Sequence, residues 1–425
     1  MGQGWRILES RRLRAAVPVV AAVSLIGCGT RQATPYPKYF EAAAVGPSRE
    51  DPSNAFSAYE RAANLVTESK VIAEQGWLVQ TGFSDEDRAR VRVATSGTRV
   101  LINRAMGHAC EFRYSPSEPG QPNPRLAAWR LIGRTLCWDI ESELLQHHNR
   151  AAIEAFLVPT KFGFDLTGGG PKEASLGLVI ADEARRALVG SMPQFNADEL
   201  RLLSQGLKRI YGQKPPVKVP LEHARLDILA GVQFVQDAYQ REDWASLNAL
   251  LGPDAKDPVS YLKSMREHDG PKRVQFFAGL AEEGNKECEF AQSLAMLPFS
   301  ERTAVIQEAN KKLKGVRPWK KLNRHLFWMG RSLLALEDTT SARTQMMILD
   351  AEILRTIAQT GQAPSDLSGF TPSLTMDPFS NRPFILRAGR RQYKLYSVGK
   401  DGADNNGEYD ETYSQPDLKL ERPIE

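Results

Sequence analysis

The chain has 425 residues, of which 42% are hydrophobic and 25% charged, and a formal net charge of +4. This is an ordinary globular composition, long enough for one large helical body or two domains. Residues 1–27 hold four arginines and one glutamate, so the rest is close to neutral, at about +1, and lacks the basic footprint of a nucleic-acid binder. In chain order, Arg6, Arg11, Arg12 and Arg14 come first, opposed only by Glu9. An apolar run from Ala15 to Gly27 follows, broken mildly by Pro18. A bilayer span needs roughly 20 apolar residues, so this run is too short to be one. Its order, basic and then apolar, is that of a signal peptide.

The run ends in Leu25-Ile26-Gly27-Cys28. This sequence resembles the lipobox of bacterial lipoproteins. The resemblance implies that the Cys28 thiol is alkylated by a diacylglyceryl group, that the chain is cut before it, and that three acyl chains result. One chain, at about 0.8 kcal/mol per buried CH₂, holds only marginally, whereas three anchor the protein to a membrane essentially permanently. Gly29, where an Asp would favour the inner membrane, implies the periplasmic side of the cell envelope and the outer membrane. The other reading is an ordinary secretory signal followed by a coincidental cysteine. Residues 28–54 are rich in Pro, Ala and small polar residues and read as a tether.

From residue 55 to residue 362 the pattern is helical, and a mainly α fold is expected, as a multi-helix array or bundle. Phe56, Tyr59, Ala63 and Val66 share one helical face. Ser84 and Asn196 stand where N-caps belong, each with an acid three residues on. Longer helical segments are predicted near 124–158, 172–192, 197–212, 219–243, 258–297, 300–314 and 319–360. Gly and Pro punctuate them, as at Lys214-Pro215-Pro216 and Gly270-Pro271. No fixed repeat period holds. Cys110, Cys137 and Cys288 remain beyond Cys28, without a CxxC or Cys/His cluster. They read as buried thiols, or as a Cys110–Cys137 disulfide and one thiol.

Residues 363–425 differ in composition. Residues 383–387 and 392–398 are strand-like and flank Gly389, which predicts a small C-terminal β-hairpin cap on the long helix before it. The motif Asp377-Pro378-Phe379-Ser380-Asn381-Arg382-Pro383 precedes the hairpin, and Tyr396-Ser397-Val398-Gly399-Lys400-Asp401-Gly402 closes it. Over about 70 residues this ending resembles the C-terminal end of the major pseudopilins of type II secretion, where such a loop binds calcium. Asn54-Ala55 and Tyr59 are similar to the first helix of a group of bacterial envelope proteins of no assigned activity that share this ending. The resemblance implies a structural Ca²⁺ held by Asp401, Asp404, Asn405, Asn406, Glu408 and Asp410. Oxygen donors of these types suit calcium, and Gly399, Gly402 and Gly407 let the backbone curl. A solvated Asp/Asn/Gly turn is the other reading. The chain itself lacks the processing site and long apolar helix of a pseudopilin.

Other constellations read as structural. These are Glu143 with His147 and His148, His108 with Cys110, the run Thr167-Gly168-Gly169-Gly170-Pro171-Lys172, the aromatics Trp319, Phe327 and Trp328, and the adjacent acids Asp182 and Glu183. No catalytic residues are assigned. The expected function is that of a membrane-anchored envelope lipoprotein with a structural or protein-interaction role among envelope partners. The alternatives are a periplasmic enzyme acting on cell-wall or polysaccharide material and an accessory of a type II secretion or pilus-like system.

Overall fold

The computed structural model describes residues 36–41, 51–116, 123–251, 256–266, 270–312, 329–390, 392–408 and 417–420. Leu25, Ile26, Gly27, Cys28 and Asp410 lie outside them, as do Trp319, Phe327 and Trp328. The fold is mainly α with a small C-terminal β-hairpin, as the periodicity predicts.

Four short helices come first: α1 (Ala55–Thr67), α2 (Lys70–Glu74), α3 (Asp85–Ala94) and α4 (Ser96–Ala105). Asn54 caps α1 by accepting from Phe56 N–H, and Ser84 caps α3 by accepting from Asp87 N–H. Next come α5 (Pro124–Leu145), α6 (Asn149–Leu166), α7 (Pro171–Val189) and α8 (Ala197–Gln213). At the head of α8, Asn196 and Glu199 form a reciprocal capping box. Then follow α9 (Lys218–Arg241), α10 (Trp244–Leu251), α11 (Lys256–Arg266), α12 (Gly270–Ala295), α13 (Phe299–Lys312) and the long α14 (Met329–Thr360). A final single turn, α15, spans Pro372–Thr375.

The predicted segment 124–158 is in fact two helices. The break falls at Gln146-His147-His148, which contains neither Gly nor Pro. His147 adopts a left-handed φ of 58°, which ends α5 and reverses the chain into α6. Left-handed backbone at a bulky residue has little sequence signature, so the periodicity runs straight through it.

Four hydrophobic clusters hold the helices together. The largest joins α5–α8 and α14 through Ile140, Phe156, Leu188, Leu203 and Met346. A second wraps α1–α4 around the α5–α7 pack, with Phe56, Tyr59, Ile102, Trp129 and Phe162 at its centre. The third gathers α9–α12 around Tyr239 and Phe277, and Leu178, Leu221, Leu294 and Leu333 form the fourth. Residues 36–41, expected as tether, lie against this third cluster. Tyr36 meets Phe277 edge-on at 5.9 Å, and Tyr39 N–H donates to Gln233 at 2.7 Å. Contacts gather Tyr36–Glu425 into one compact unit.

Among the described residues the β structure is two antiparallel pairs. β1 (Met376–Asp377) pairs with β2 (Arg382–Pro383), and β3 (Ile385–Ala388) pairs with β4 (Tyr393–Tyr396) in the register Ile385 to Tyr396. Gly389 N–H donates to the Gln392 carbonyl across the hairpin turn. Phe379, Phe384, Leu395, Leu418 and Leu420 belong to the same core cluster as α8 and α14. The Tyr393 hydroxyl adds a 2.5 Å hydrogen bond to Asp350 on α14. Cys110, Cys137 and Cys288 are free thiols, so the disulfide reading is not the one adopted.

Candidate functional site

The C-terminal module is built on Asp377. Pro378 fixes the φ of the next position, and Asn381 takes a left-handed φ of 53°, so the chain doubles back within five residues. The Asp377 side chain is buried at 1% exposure and is saturated by its neighbours. Oδ1 accepts from Phe379 N–H at 2.9 Å. Oδ2 accepts from the Ser397 hydroxyl at 2.9 Å and from Val398 N–H at 3.2 Å. Burial pushes the carboxyl up, and those donors pull it down. The two sequence motifs therefore meet in space: the Asp-Pro-Phe turn is the socket into which the Tyr-Ser-Val-Gly segment plugs. Phe379 also packs on Phe299 with ring centres 5.0 Å apart, which ties the socket to the start of α13.

Beyond Val398 the chain forms an open loop. Gly399, Asn406 and Gly407 have φ of 63°, 60° and 71°. A side chain at Gly407 would press on the Tyr396 ring at 3.1 Å, so the glycine serves a close approach as well as the turn. Asp401 accepts from Ala403 N–H and from the Asn405 amide. Asp404 accepts from the Tyr396 hydroxyl at 2.8 Å and from Asn406 N–H at 2.9 Å. Its other oxygen accepts from Arg387 at 2.8 Å, and the same guanidinium reaches the Asn406 side-chain oxygen at 2.5 Å. These donors, the Asn406 N–H and the Tyr396 hydroxyl foremost, hold the Asp404 carboxyl below its usual range. Glu408 is exposed.

The six predicted ligands are thus divided. Arg387, a fixed cation from β3, takes Asp404 and Asn406, while Asp401 and Asn405 bind each other. Among the described residues no three His, Cys, Asp or Glu side chains form a metal-ligand group. Sequence reading missed two residues here. One is Arg387. The other is Asp417, which is fully buried and accepts from Asn405 N–H at 3.0 Å and Gly407 N–H at 2.6 Å through Oδ2. Its Oδ1 is buried with no hydrogen-bond partner among the described residues. Burial, opposed by those two N–H groups, raises its pKa, and the charges of Asp404 and Asp401 add to the rise. The alternation Asp417-Leu418-Lys419-Leu420 was the available signal: Leu418 bridges to Ser397 in antiparallel fashion, which brings Asp417 under the loop.

The other constellations fall into place as structure. His148 pairs with Glu143 at 3.1 Å on an exposed corner. The Gly168–Gly170 run passes close under Tyr114, whose ring leaves no room for a Cβ at Gly170. There His223 stacks on Tyr114 at 4.4 Å and contacts the Gly169 carbonyl through Nδ1 at 2.9 Å. The Tyr114 hydroxyl donates to Asp227, whose pKa burial pushes up to about 7. Asp182 is buried among Arg185, Arg186 and Arg343, and Arg185 also donates to the Leu420 carbonyl at 2.7 Å. No protein family, curated protein or solved structure matches the chain.

Proposed function

We propose that this protein is a lipid-anchored lipoprotein of the bacterial cell envelope, with a non-enzymatic role in structure or protein interaction. The order Arg6 to Arg14, Ala15 to Gly27, then Leu25-Ile26-Gly27-Cys28, carries this reading. Cys28 bears the acyl chains, the helical body stands on the periplasmic side, and Gly29 favours the outer membrane. Among the described residues no helix is long and apolar enough to cross a membrane. The test is to express the full chain in a bacterium fed an alkyne-tagged fatty acid. The label and sedimentation with membranes are expected for the native chain, and both are expected to vanish in Cys28→Ser. A labelled Cys28→Ser chain refutes the assignment.

The C-terminal loop is proposed to hold one structural Ca²⁺. The buried Oδ1 of Asp417, unpartnered among the described residues, supports this, because a carboxylate oxygen left without a donor is expensive unless a cation faces it. Asp401 and backbone carbonyls of the loop supply further oxygens, while Asp404 and Asn406 stay with Arg387. A ligand that binds only the folded state raises stability, by about 2.7 kcal/mol at a hundred times its Kd. The unfolding temperature is therefore expected to rise with calcium over EDTA in the native chain and to stay flat in Asp417→Asn.

A further inference from the structure

Outside the C-terminal module, one cleft of about 520 Å³ opens between the Thr81–Phe83 loop, α5 and α7. That is the size of ordinary small-molecule sites, which run from about 300 to 1,000 Å³. Arg134, Trp138 and Glu141 lie on one face of α5, at helical spacing, and Glu183 and Arg186 face them from α7. Phe83 and Trp138 form an edge-to-face aromatic wall with ring centres 5.2 Å apart.

Among the described residues, the charges around this cleft are paired except for two. Arg88 pairs with Glu141 at 3.2 Å and lies over Trp138. Arg186 pairs with Asp182 at 2.7 Å. Arg134 makes a 2.7 Å hydrogen bond to the Gln80 carbonyl and stands over the Phe83 ring, but forms no ion pair with any described residue. Glu183 has neither hydrogen bond nor ion pair among the described residues. The two are close enough to feel each other: burial pushes the Glu183 carboxyl up, and the Arg134 charge is the strongest influence pulling it back, ahead of Arg186 and Arg130. They stand apart, on two helices, across a space walled by aromatic rings.

We propose that this cleft binds a small zwitterion, an amino acid or dipeptide with an apolar side chain, whose carboxylate pairs with Arg134 and whose ammonium pairs with Glu183. The planar guanidinium suits a carboxylate. The Phe83–Trp138 wall takes the side chain. The assignment is independent of lipidation and of calcium, so it stands or falls apart from the reading above.

Calorimetric titration of the full chain in detergent tests it, with L-phenylalanine, N-acetyl-L-phenylalanine and L-phenylalaninamide as probes. The free amino acid is expected to bind most tightly, because each derivative loses one of its two charges. Glu183→Gln is expected to weaken phenylalanine at least tenfold and leave the N-acetyl derivative unchanged. Arg134→Gln is expected to weaken phenylalanine and the N-acetyl derivative and leave the amide unchanged. Glu183 closes no ion pair among the described residues, so Glu183→Gln should unfold at the native temperature; Arg134→Gln gives up the Gln80 hydrogen bond and the Phe83 contact, so its unchanged affinity for the amide is the control that the cleft is intact. Loss of the phenylalanine signal in Phe83→Ala provides a check that uses no charged position. No heat with phenylalanine up to its solubility, or affinities that the charge variants do not change in this pattern, overturns the proposal.

Discussion

Asp227 shows what burial does to a single carboxyl. It sits under Tyr114 and His223, with Glu173 and Lys172 nearby, and desolvation raises its pKa from 3.8 to about 7, against the Tyr114 hydrogen bond. The folded chain therefore holds this proton more tightly than the unfolded chain does. Its contribution to stability is present below 3.8, falls as pH climbs from 3.8 to about 7, and is level above that. Denaturant titrations across this range should show the decline in the native protein and a flatter profile in Asp227→Asn. Lys161 and Asp165 solve the same problem differently. Both are buried, and they form an ion pair to which the Tyr59 hydroxyl adds a hydrogen bond at 2.5 Å. Lys161 and Asp165 stand at i, i+4 on one helix, but the tyrosines that complete the two groupings cannot be seen at sequence spacing: Tyr114 and Asp227 are 113 positions apart, and Tyr59 and Asp165 are 106.

At the scale of elements, α6 and α7 make the closest packing that glycine decides among the described residues. Gly163 and Gly177 face each other, and a Cβ on either would run into the other's backbone carbonyl oxygen. Backbone cannot swing aside as a side chain can, so Gly163→Ala or Gly177→Ala must push the helices apart. Overpacking of this kind costs about 1–3 kcal/mol, and thermal unfolding should place both variants at or above the upper end. Gly279, inside α12, has open space where its Cβ would stand. There Gly279→Ala should stabilise by about 0.5–1 kcal/mol, since it removes backbone freedom from the unfolded chain without a clash. Both glycines of the α6–α7 pair are single letters in helical patterns, and the sequence gives no sign of which kind each one is. The capped starts of α3 and α8 were readable, because a cap and the backbone N–H that donates to it lie within three residues. The α5–α6 break was not, because His147 carries no punctuation.

At the scale of the whole molecule, the C-terminal module is part of the same compact unit as the helices. Asp377 is the joint: its carboxyl holds the Phe379 turn and the Ser397–Val398 segment together, and the turn packs on α13. Asp377→Ala leaves buried N–H and O–H groups without an acceptor, each worth about 1–3 kcal/mol. Chemical denaturation should show a loss of at least about 2 kcal/mol. Hydrogen exchange should show the hairpin residues 385–396 opening ahead of α6 and α7.

Periodicity and local capping determined the helical class, the order of most helices and the presence of a hairpin after residue 362, because those signals act between neighbours in the chain. The two C-terminal motifs were also legible as motifs. Only the tertiary structure decided that Asp377 receives Ser397, that Arg387 occupies Asp404 and Asn406, and that Asp417 lies beneath the loop. Only the tertiary structure set Arg134 and Glu183 across a cleft from each other. These arrangements join residues that the folding of α5 to α8, α14 and the hairpin brings together, and hydrogen-bond and ion-pair energies act over a few ångströms of space, whatever the distance along the chain.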